Sequence, residues 1–353
     1  MALSPTLPDP GFWAGRRVLV TGDTGFKGAW LALWLTELGA VVSGFADGVP
    51  TDPSLYELAE VGALVDHHEG DVRDAARVAA VVGATRPEVV FHLAAQPLVR
   101  RSYAEPAETY AVNVMGTVNV LDAVRHAGGD VRVAVVVTSD KCYENRESPR
   151  GYREDDALGG HDPYSSSKGA AELVTAAYRS SFFSADGAAA IASARAGNVI
   201  GGGDWGADRL VPDIMRAVAA GAPVRIRNPE AIRPWQHVLN PLSGYLRLAE
   251  RAWADRALAR GFNFGPGDDD ARPVGWIVER LAPRSELDPG PHPHEAHWLK
   301  LDSSLARDAL GWTPGWDLAR GLEATAAWYR AQRDGADARA TTRAQIAAFG
   351  ATS

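Results

Sequence analysis

A chain of 353 residues with 46% hydrophobic side chains is long enough to bury a large core, as one big domain or two interlocked ones. A formal net charge of -8 argues against a nucleic-acid-binding surface, yet is compatible with a local basic pocket for an anionic small molecule. The single cysteine, Cys142, excludes an internal disulfide and fits a reducing cytoplasm; segment 1–10 lacks the pattern of a signal peptide, and no apolar run is long enough to span a bilayer.

The β-branched run 17–21 predicts a first strand, and Gly22-Asp23-Thr24-Gly25-Phe26-Lys27-Gly28 follows it as a GxxGxxG turn. Glycines here let the backbone turn tightly and let a pyrophosphate approach the next helix N-terminus, whose free N–H groups favour anions. That helix is read from Trp30, Leu31, Trp34, Leu35 and Leu38 at three- and four-residue spacing, with Gly39 as its stop. Residues 41–45 form the second strand and 65–70 the third. No Arg or Lys stands at the end of the second strand to hold a 2′-phosphate, so NAD is favoured over NADP. Asp47 lies just beyond that end, while Asp71 and Val72 follow the third strand. Asp71 is placed either to meet the adenine or to cap the helix 75–83. Further strands at 89–93 and 133–138 flank a helix at 106–126. Nearly all-apolar strands alternating with helices predict an α/β fold: a Rossmann-type doubly wound parallel sheet covered on both faces.

Thr138-Ser139-Asp140-Lys141 ends the fifth strand. Open α/β sheets bind ligands beyond the carboxyl ends of their strands, so Ser139, Asp140 and Lys141 are expected to point into a site. Cys142 reads as a small buried residue rather than a nucleophile. Asp162 is a good N-cap and Pro163 a good first residue for a helix at 163–183. Tyr164 and Lys168 then share one face, and the ammonium is expected to lower the tyrosine pKa from its usual value of roughly 10, making Tyr164 a base near neutrality. After a sixth strand at 190–195 come a glycine loop at 201–203, a helix at 211–220, a strand at 223–227, and a region at 267–328 rich in Pro, His and Trp. This divides the chain into a dinucleotide domain at 13–198, to which 237–266 returns, and a smaller C-terminal substrate-binding lobe at 199–236 and 267–331, with a peripheral tail at 332–353. His292, His294 and His297 lie among Pro and Trp without a nearby Cys, and are read as no metal site.

The 22–28 turn, His92-Leu93-Ala94-Ala95-Gln96, Tyr164 and Lys168 resemble the extended short-chain dehydrogenase/reductase superfamily. Longer stretches at 24–28, 96–103, 138–145, 195–205 and 233–238 resemble the CDP-glucose 4,6-dehydratase family, with the likeness running over 13–329. The resemblance implies NAD held by Gly22, Thr24, Gly25, Phe26, Lys27, Gly28, Asp71, Val72, Ala94, Ala95, Gln96, Tyr164 and Lys168. It implies that Tyr164 takes the proton of the sugar 4-hydroxyl while hydride leaves C4. Ser139 hydrogen-bonds that hydroxyl, Asp140 protonates the departing 6-hydroxyl, Lys141 takes the C5 proton, and hydride returns to C6. Arg209, Arg233 and Asn198 are the expected diphosphate contacts, and Arg101 and Tyr103 the expected sugar contacts. His237 is either a ligand contact or a structural residue. A homodimer or homotetramer built on the helices 106–126 and 163–183 is also implied, with neither nucleic acid nor membrane as partner. One departure stands out: Asp23 occupies a place where the family usually has His, which sets an anion close to a pyrophosphate and is expected to weaken cofactor binding. Epimerisation or decarboxylation of a nucleotide sugar on the same scaffold is the rival reaction. Epimerisation needs no acid for a 6-hydroxyl, so Asp140 speaks against it. A non-catalytic NAD-sensing regulator would not need Tyr164, Lys168 and Asp140 together.

Overall fold

The apolar runs become strands, and the places where they stop become the site. The structure is a computed structural model that describes residues 7–288, 290 and 298–352. Within it, strands β1 (Arg17–Thr21), β2 (Val41–Ala46), β3 (Asp66–Glu69), β4 (Val89–His92), β5 (Val133–Val137), β6 (Ala190–Arg195) and β7 (Gly261–Asn263) form one sheet. Their order is β7-β6-β5-β4-β1-β2-β3, and every pairing is parallel. β1 lies between β2 and β4, with Val18 opposite both Val42 and Val89. The strand order reverses there, so the connections leaving β1 and β4 run to opposite sides and open a crevice at the carboxyl ends.

Both sheet faces are covered, which is why the central strands β1, β4 and β5 read as nearly unbroken apolar runs, whereas the edge strand β3 (Asp66–Glu69) is polar. Val18 and Val20 point to one face, where they meet Trp30 and Leu33 of α1 (Phe26–Glu37). Residues of a later helix at Leu239–Ala254, among them Leu242 and Leu246, pack on the same face. Leu19, Val90, Val136 and Ile191 point to the other face. There they meet α2 (Ala75–Thr85) through Val78 and Val82, α3 (Gly116–His126) through Leu121 and Val124, and α4 (Pro163–Phe182) through Val174. Asp162 caps α4 by accepting from the Ser165 N–H at 2.9 Å, with Pro163 at its first position.

The helix expected at 106–126 is not uniform. Pro106–Tyr110 is α-helical, Ala111–Met115 is a wider π turn, and α3 follows. The widened turn turns Asn113 inward: its side chain accepts from the Gln96 N–H at 2.8 Å and donates to the Gln96 carbonyl at 3.1 Å and to Ser167 Oγ at 2.8 Å. π turns of this kind recur where a side chain must be aimed at a site.

The second lobe has its own apolar cluster, built from Ile200, Val211, Ile214, Val224, Ile226, Trp235 and Ile277. Short strands frame it: Val224–Ile226 pairs with Ser285–Leu287, and Ile232–Pro234 with Ala271–Pro273. Among the described residues no helix is long and apolar enough to cross a membrane.

The segment expected to be a peripheral tail is part of the core. Ala338–Thr352 is a helix whose Phe349 ring is fully buried, 5.7 Å from Trp34 and 5.4 Å from Trp316. Trp328 Nε1 donates to Thr342 Oγ1 at 3.0 Å and ties this helix to the one before it. Its apolar contacts come from isolated residues, Ile346 and Phe349, spaced among alanines, so the chain carries only a thin stripe to announce them. Phe349→Ala is therefore expected to destabilise the protein by about 3–5 kcal/mol. Urea unfolding followed by tryptophan fluorescence measures it; a loss under about 1 kcal/mol would mean the helix is only loosely docked.

Candidate active site

The crevice is a cleft of about 1430 Å³, walled by the glycine turn, the ends of β4, β5 and β6, the start of α4 and loops of the second lobe. The turn is shaped by steric necessity. Gly22 has φ +74°, and a Cβ there would lie 2.7 Å from the Ala94 nitrogen. A Cβ on Gly28 would lie 1.9 Å from the Gly22 carbonyl oxygen, so only hydrogen lets α1 begin on top of the turn. A helix start with free N–H groups over a turn without side chains is a cradle for a pyrophosphate, and the residues present fit a dinucleotide. Thr24 braces it by donating to the Gly48 carbonyl at 2.7 Å.

The Asp23 side chain is turned away from the cleft rather than toward a pyrophosphate. Its carboxylate is fully buried behind β2, outside the cleft lining, with Oδ2 2.8 Å from His67 Nδ1. Gly44 makes the room, since a Cβ there would fall 2.0 Å from Asp23 Oδ2. Burial pushes the Asp23 pKa up and the hydrogen bond to His67 pulls it back. Asp71 lines the cleft beside Val72 and does not cap α2, because Asp74 does that by accepting from the Arg77 N–H at 3.0 Å. The Arg73 guanidinium hydrogen-bonds the Asp71 carboxylate and holds its pKa below the usual range. Ala94, Ala95 and Gln96 line the same wall.

Ser139, Asp140, Lys141, Tyr164 and Lys168 converge at the cleft floor. Asp140 is 2% exposed; Oδ1 accepts from Ser139 Oγ at 2.9 Å, while Oδ2 has no hydrogen-bond partner among the described residues. Burial raises its pKa against the pull of Lys141, Ser139 and Arg233. The shift favours the neutral, proton-donating form relative to an exposed aspartate. Gly197 leaves it space, a Cβ there coming within 2.9 Å of Oδ2. Lys141 is half-buried, and its N–H donates to Ser139 Oγ at 3.2 Å.

Tyr164 and Lys168 share a face of α4 as expected, but the expected pKa shift of the tyrosine is reversed. Burial pushes Tyr164 up to about 12, with the Ser139 hydrogen bond the first opposing influence and Asp140 adding to the rise. The lysine ammonium sits back against the sheet, where Nζ donates to the Val137 carbonyl at 3.4 Å, and burial lowers its own pKa to about 8. Desolvation of the phenol outweighs the Ser139 hydrogen bond and the Arg209 charge, so Tyr164 rests protonated.

On the substrate side, Arg209 pairs with Asp204 at 3.0 Å, Arg233 is 7% exposed and donates to the Ile232 carbonyl at 2.8 Å, and the Asn198 carbonyl accepts from the Gln236 N–H at 3.0 Å; all three line the cleft. Arg101 and Tyr103 reach only its rim: Arg101 is exposed and paired with Glu105 at 2.7 Å, and Tyr103 is 47% exposed. His237 fits the structural one of its two readings. It is fully buried outside the cleft lining, between Trp30 and Trp316, and burial lowers its pKa to about 3. Arg100, Arg225 and Arg227 also line the cleft and were not anticipated. The alternation Val224-Arg225-Ile226-Arg227 was a readable signal, because burying Val224 and Ile226 sends both arginines to the opposite face. The histidines at 292, 294 and 297 lie outside the described residues.

Known proteins resemble this arrangement. The family model for GDP-mannose 4,6 dehydratase matches residues 19–264. The CDP-glucose 4,6-dehydratase of Salmonella typhimurium (strain LT2) is 50% identical over 352 residues, covering 97% of this chain and 98% of its own. An epimerase structure from Methanothermobacter thermautotrophicus superposes with a TM-score of 0.79 at 24% identity, covering 93% of this chain and 97% of that one. A dTDP-glucose 4,6-dehydratase from Streptomyces venezuelae, solved with NAD and TYD bound, gives 0.75 at 24% identity, covering 91% and 99%. These two structures match the fold.

Lys27 carries a testable consequence of the geometry. Its Nζ lies 3.4 Å from the Tyr245 hydroxyl inside the cleft, and burial, then Lys168 and Arg209, lower its pKa to about 7. An arriving diphosphate favours the ammonium, so binding at pH 7.5 should take up protons. Titration calorimetry with CDP and with NAD, in buffers of different ionisation enthalpy, should show uptake that Lys27→Met removes; equal uptake in both proteins would exclude Lys27 as its source.

Proposed function

The chain belongs to the GDP-mannose 4,6-dehydratase family, and on that premise we propose that it is an NAD-dependent CDP-glucose 4,6-dehydratase. It converts CDP-glucose to CDP-4-keto-6-deoxyglucose with loss of water. The observation that carries this reading is Asp140, a buried carboxyl biased to its acid form, sharing one cleft floor with Tyr164 and Lys168. Oxidation at C4 needs the tyrosine and lysine; only an elimination also needs such an acid.

When bound, NAD supplies the redox chemistry, accepting hydride from C4 and returning it to C6. Gly22, Thr24, Gly25, Phe26, Lys27 and Gly28 would hold it with Asp71, Val72, Ala94, Ala95 and Gln96. Arg209, Arg233 and Asn198 grip the substrate diphosphate, joined by Arg100 and Arg227, since guanidinium groups meet phosphate oxygens in pairs. Ser139 orients the 4-hydroxyl and Tyr164 removes its proton. Because Tyr164 rests as a phenol, cationic charge entering the cleft must lower its pKa before it accepts that proton. The 4-keto group then acidifies C5; Lys141 takes that proton while Asp140 gives its own to the departing 6-hydroxyl.

We also place the protein in the cytoplasm as a homodimer or homotetramer. The support for self-association is the exposed apolar set Tyr110, Met115, Leu173 and Phe182, carried by α4 and the helical segment before α3.

A panel of CDP-, dTDP-, UDP- and GDP-glucose followed by mass spectrometry tests the reading. Loss of one water from CDP-glucose is expected, without net NADH accumulation; an isomer of unchanged mass would mean epimerisation. Tyr164→Phe should lower turnover by about a hundredfold or more while leaving the fold intact. Asp140→Asn should still form NADH in a single turnover yet lose water slowly, and elimination in the wild type should fade as pH rises through the raised pKa of Asp140. Normal dehydration by Asp140→Asn would assign the acid elsewhere.

A further inference from the structure

Glu172 lies two turns beyond Tyr164 on α4, 3% exposed, and the chemistry above does not use it. It is fully satisfied. Oε1 accepts from Thr138 Oγ1, and Oε2 accepts from Ser193 Oγ at 2.7 Å and from Arg195 Nη2 at 2.8 Å. Arg195 continues the chain of bonds: its Nη1 donates to the Tyr143 hydroxyl at 2.6 Å, which donates to Asn263 Oδ1 at 2.7 Å.

The partners have a pattern in the sequence. Thr138 is the residue before Ser139-Asp140-Lys141, and Tyr143 follows just after it. Glu172 therefore grips the acid–base segment at both ends, directly at Thr138 and through Arg195 at Tyr143. It does so from the helix that carries Tyr164 and Lys168. Ser193 and Asn263 anchor the same network to β6 and β7.

We propose that Glu172 is a positioning residue of the catalytic centre, a buried clamp that sets the register between the Tyr164–Lys168 pair and the Ser139–Lys141 segment through Thr138 and Arg195. This rests on the dehydratase reading and deepens it. A well-packed apolar replacement of a buried ion pair is often as stable as the pair, so stability alone does not account for a charge here.

The clamp also carries charge to Lys168. Lys168 is faced by Glu172 on its own helix and by Cys142, and it acts in turn on Lys27 and His92. Glu172 is faced by Arg195, Thr138 and Ser193, and lies near Cys142 and Arg179. The Glu172 carboxylate favours the Lys168 ammonium, so its loss makes Lys168 deprotonate at lower pH. An oxidation step that needs the ammonium then loses its alkaline limb earlier.

The experiment uses the full-length enzyme with NAD and CDP-glucose in single turnover, following NADH absorbance for C4 oxidation and product mass for water loss. Glu172→Gln should move the alkaline limb of C4 oxidation down by about one pH unit. Glu172→Asp, which keeps the charge, should leave that limb within a few tenths of a unit of the wild type. Thr138→Val, which cuts the direct tie while keeping volume and charge, should slow water loss about tenfold, and C4 oxidation by a smaller factor through Ser139. An unmoved limb in Glu172→Gln, or equal slowing of both steps in Thr138→Val, overturns the proposal. If Glu172→Gln does not fold, Thr138→Val decides. Should wild type leave CDP-glucose untouched, the dehydratase reading fails by itself; the alkaline limb of NADH formation with UDP-glucose then judges the clamp separately.

Discussion

Taking ionisable side chains out of water at the carboxyl ends of apolar strands is the constraint on which this protein depends. Charged forms lose hydration there, so each buried group must be paired, be hydrogen-bonded, or change its protonation state. Glu172 with Arg195 takes the first course. Asp23 with His67 is bonded and shifted at once. Asp140, Tyr164 and Lys168 take the last, resting closer to their neutral forms than they would in water. Burial thus moves a carboxyl toward its acid form and a lysine toward its amine, beside a tyrosine held as a phenol.

A second constraint is steric and serves the first. In and beside the cleft stand glycines whose missing Cβ is occupied by another group. Gly22 and Gly28 let backbone close on backbone, Gly44 admits the Asp23 carboxylate, and Gly197 makes way for Asp140 and Pro234. Close packing here does not compete with the site; it sets where charge can stand. Turning Asp23 behind β2 removes an anion from the mouth of the pyrophosphate cradle without removing it from the chain.

Much of this was legible in the order of residues. The alternation of apolar strands with periodic helices, together with the glycine turn, is enough for a doubly wound parallel sheet, because strand period and two-sided burial are local properties. Ser139, Asp140 and Lys141 could be placed at the cleft because a strand that stops at a known topological edge must put its next side chains there. Asp162-Pro163 announced the helix that carries Tyr164 and Lys168, since caps act within one turn. The arginines of 224–227 were equally readable from strand alternation but were not picked out.

What local order could not convey is how far each group is removed from water and by which distant residues. The rise in the Tyr164 pKa follows from its burial, and Lys168 turns to the Val137 carbonyl, 31 residues away in sequence. The fates of Asp23, His237 and Phe349 were settled by partners remote in sequence: His67 beside the first, Trp316 beside the second, Trp34 beside the third. Sequence by itself determined the sheet, the turn and which side chains stand at the cleft, because periodicity, capping and strand ends act over a few residues. Tertiary structure alone decided their protonation and orientation, because desolvation and hydrogen bonding depend on every element that closes over the site.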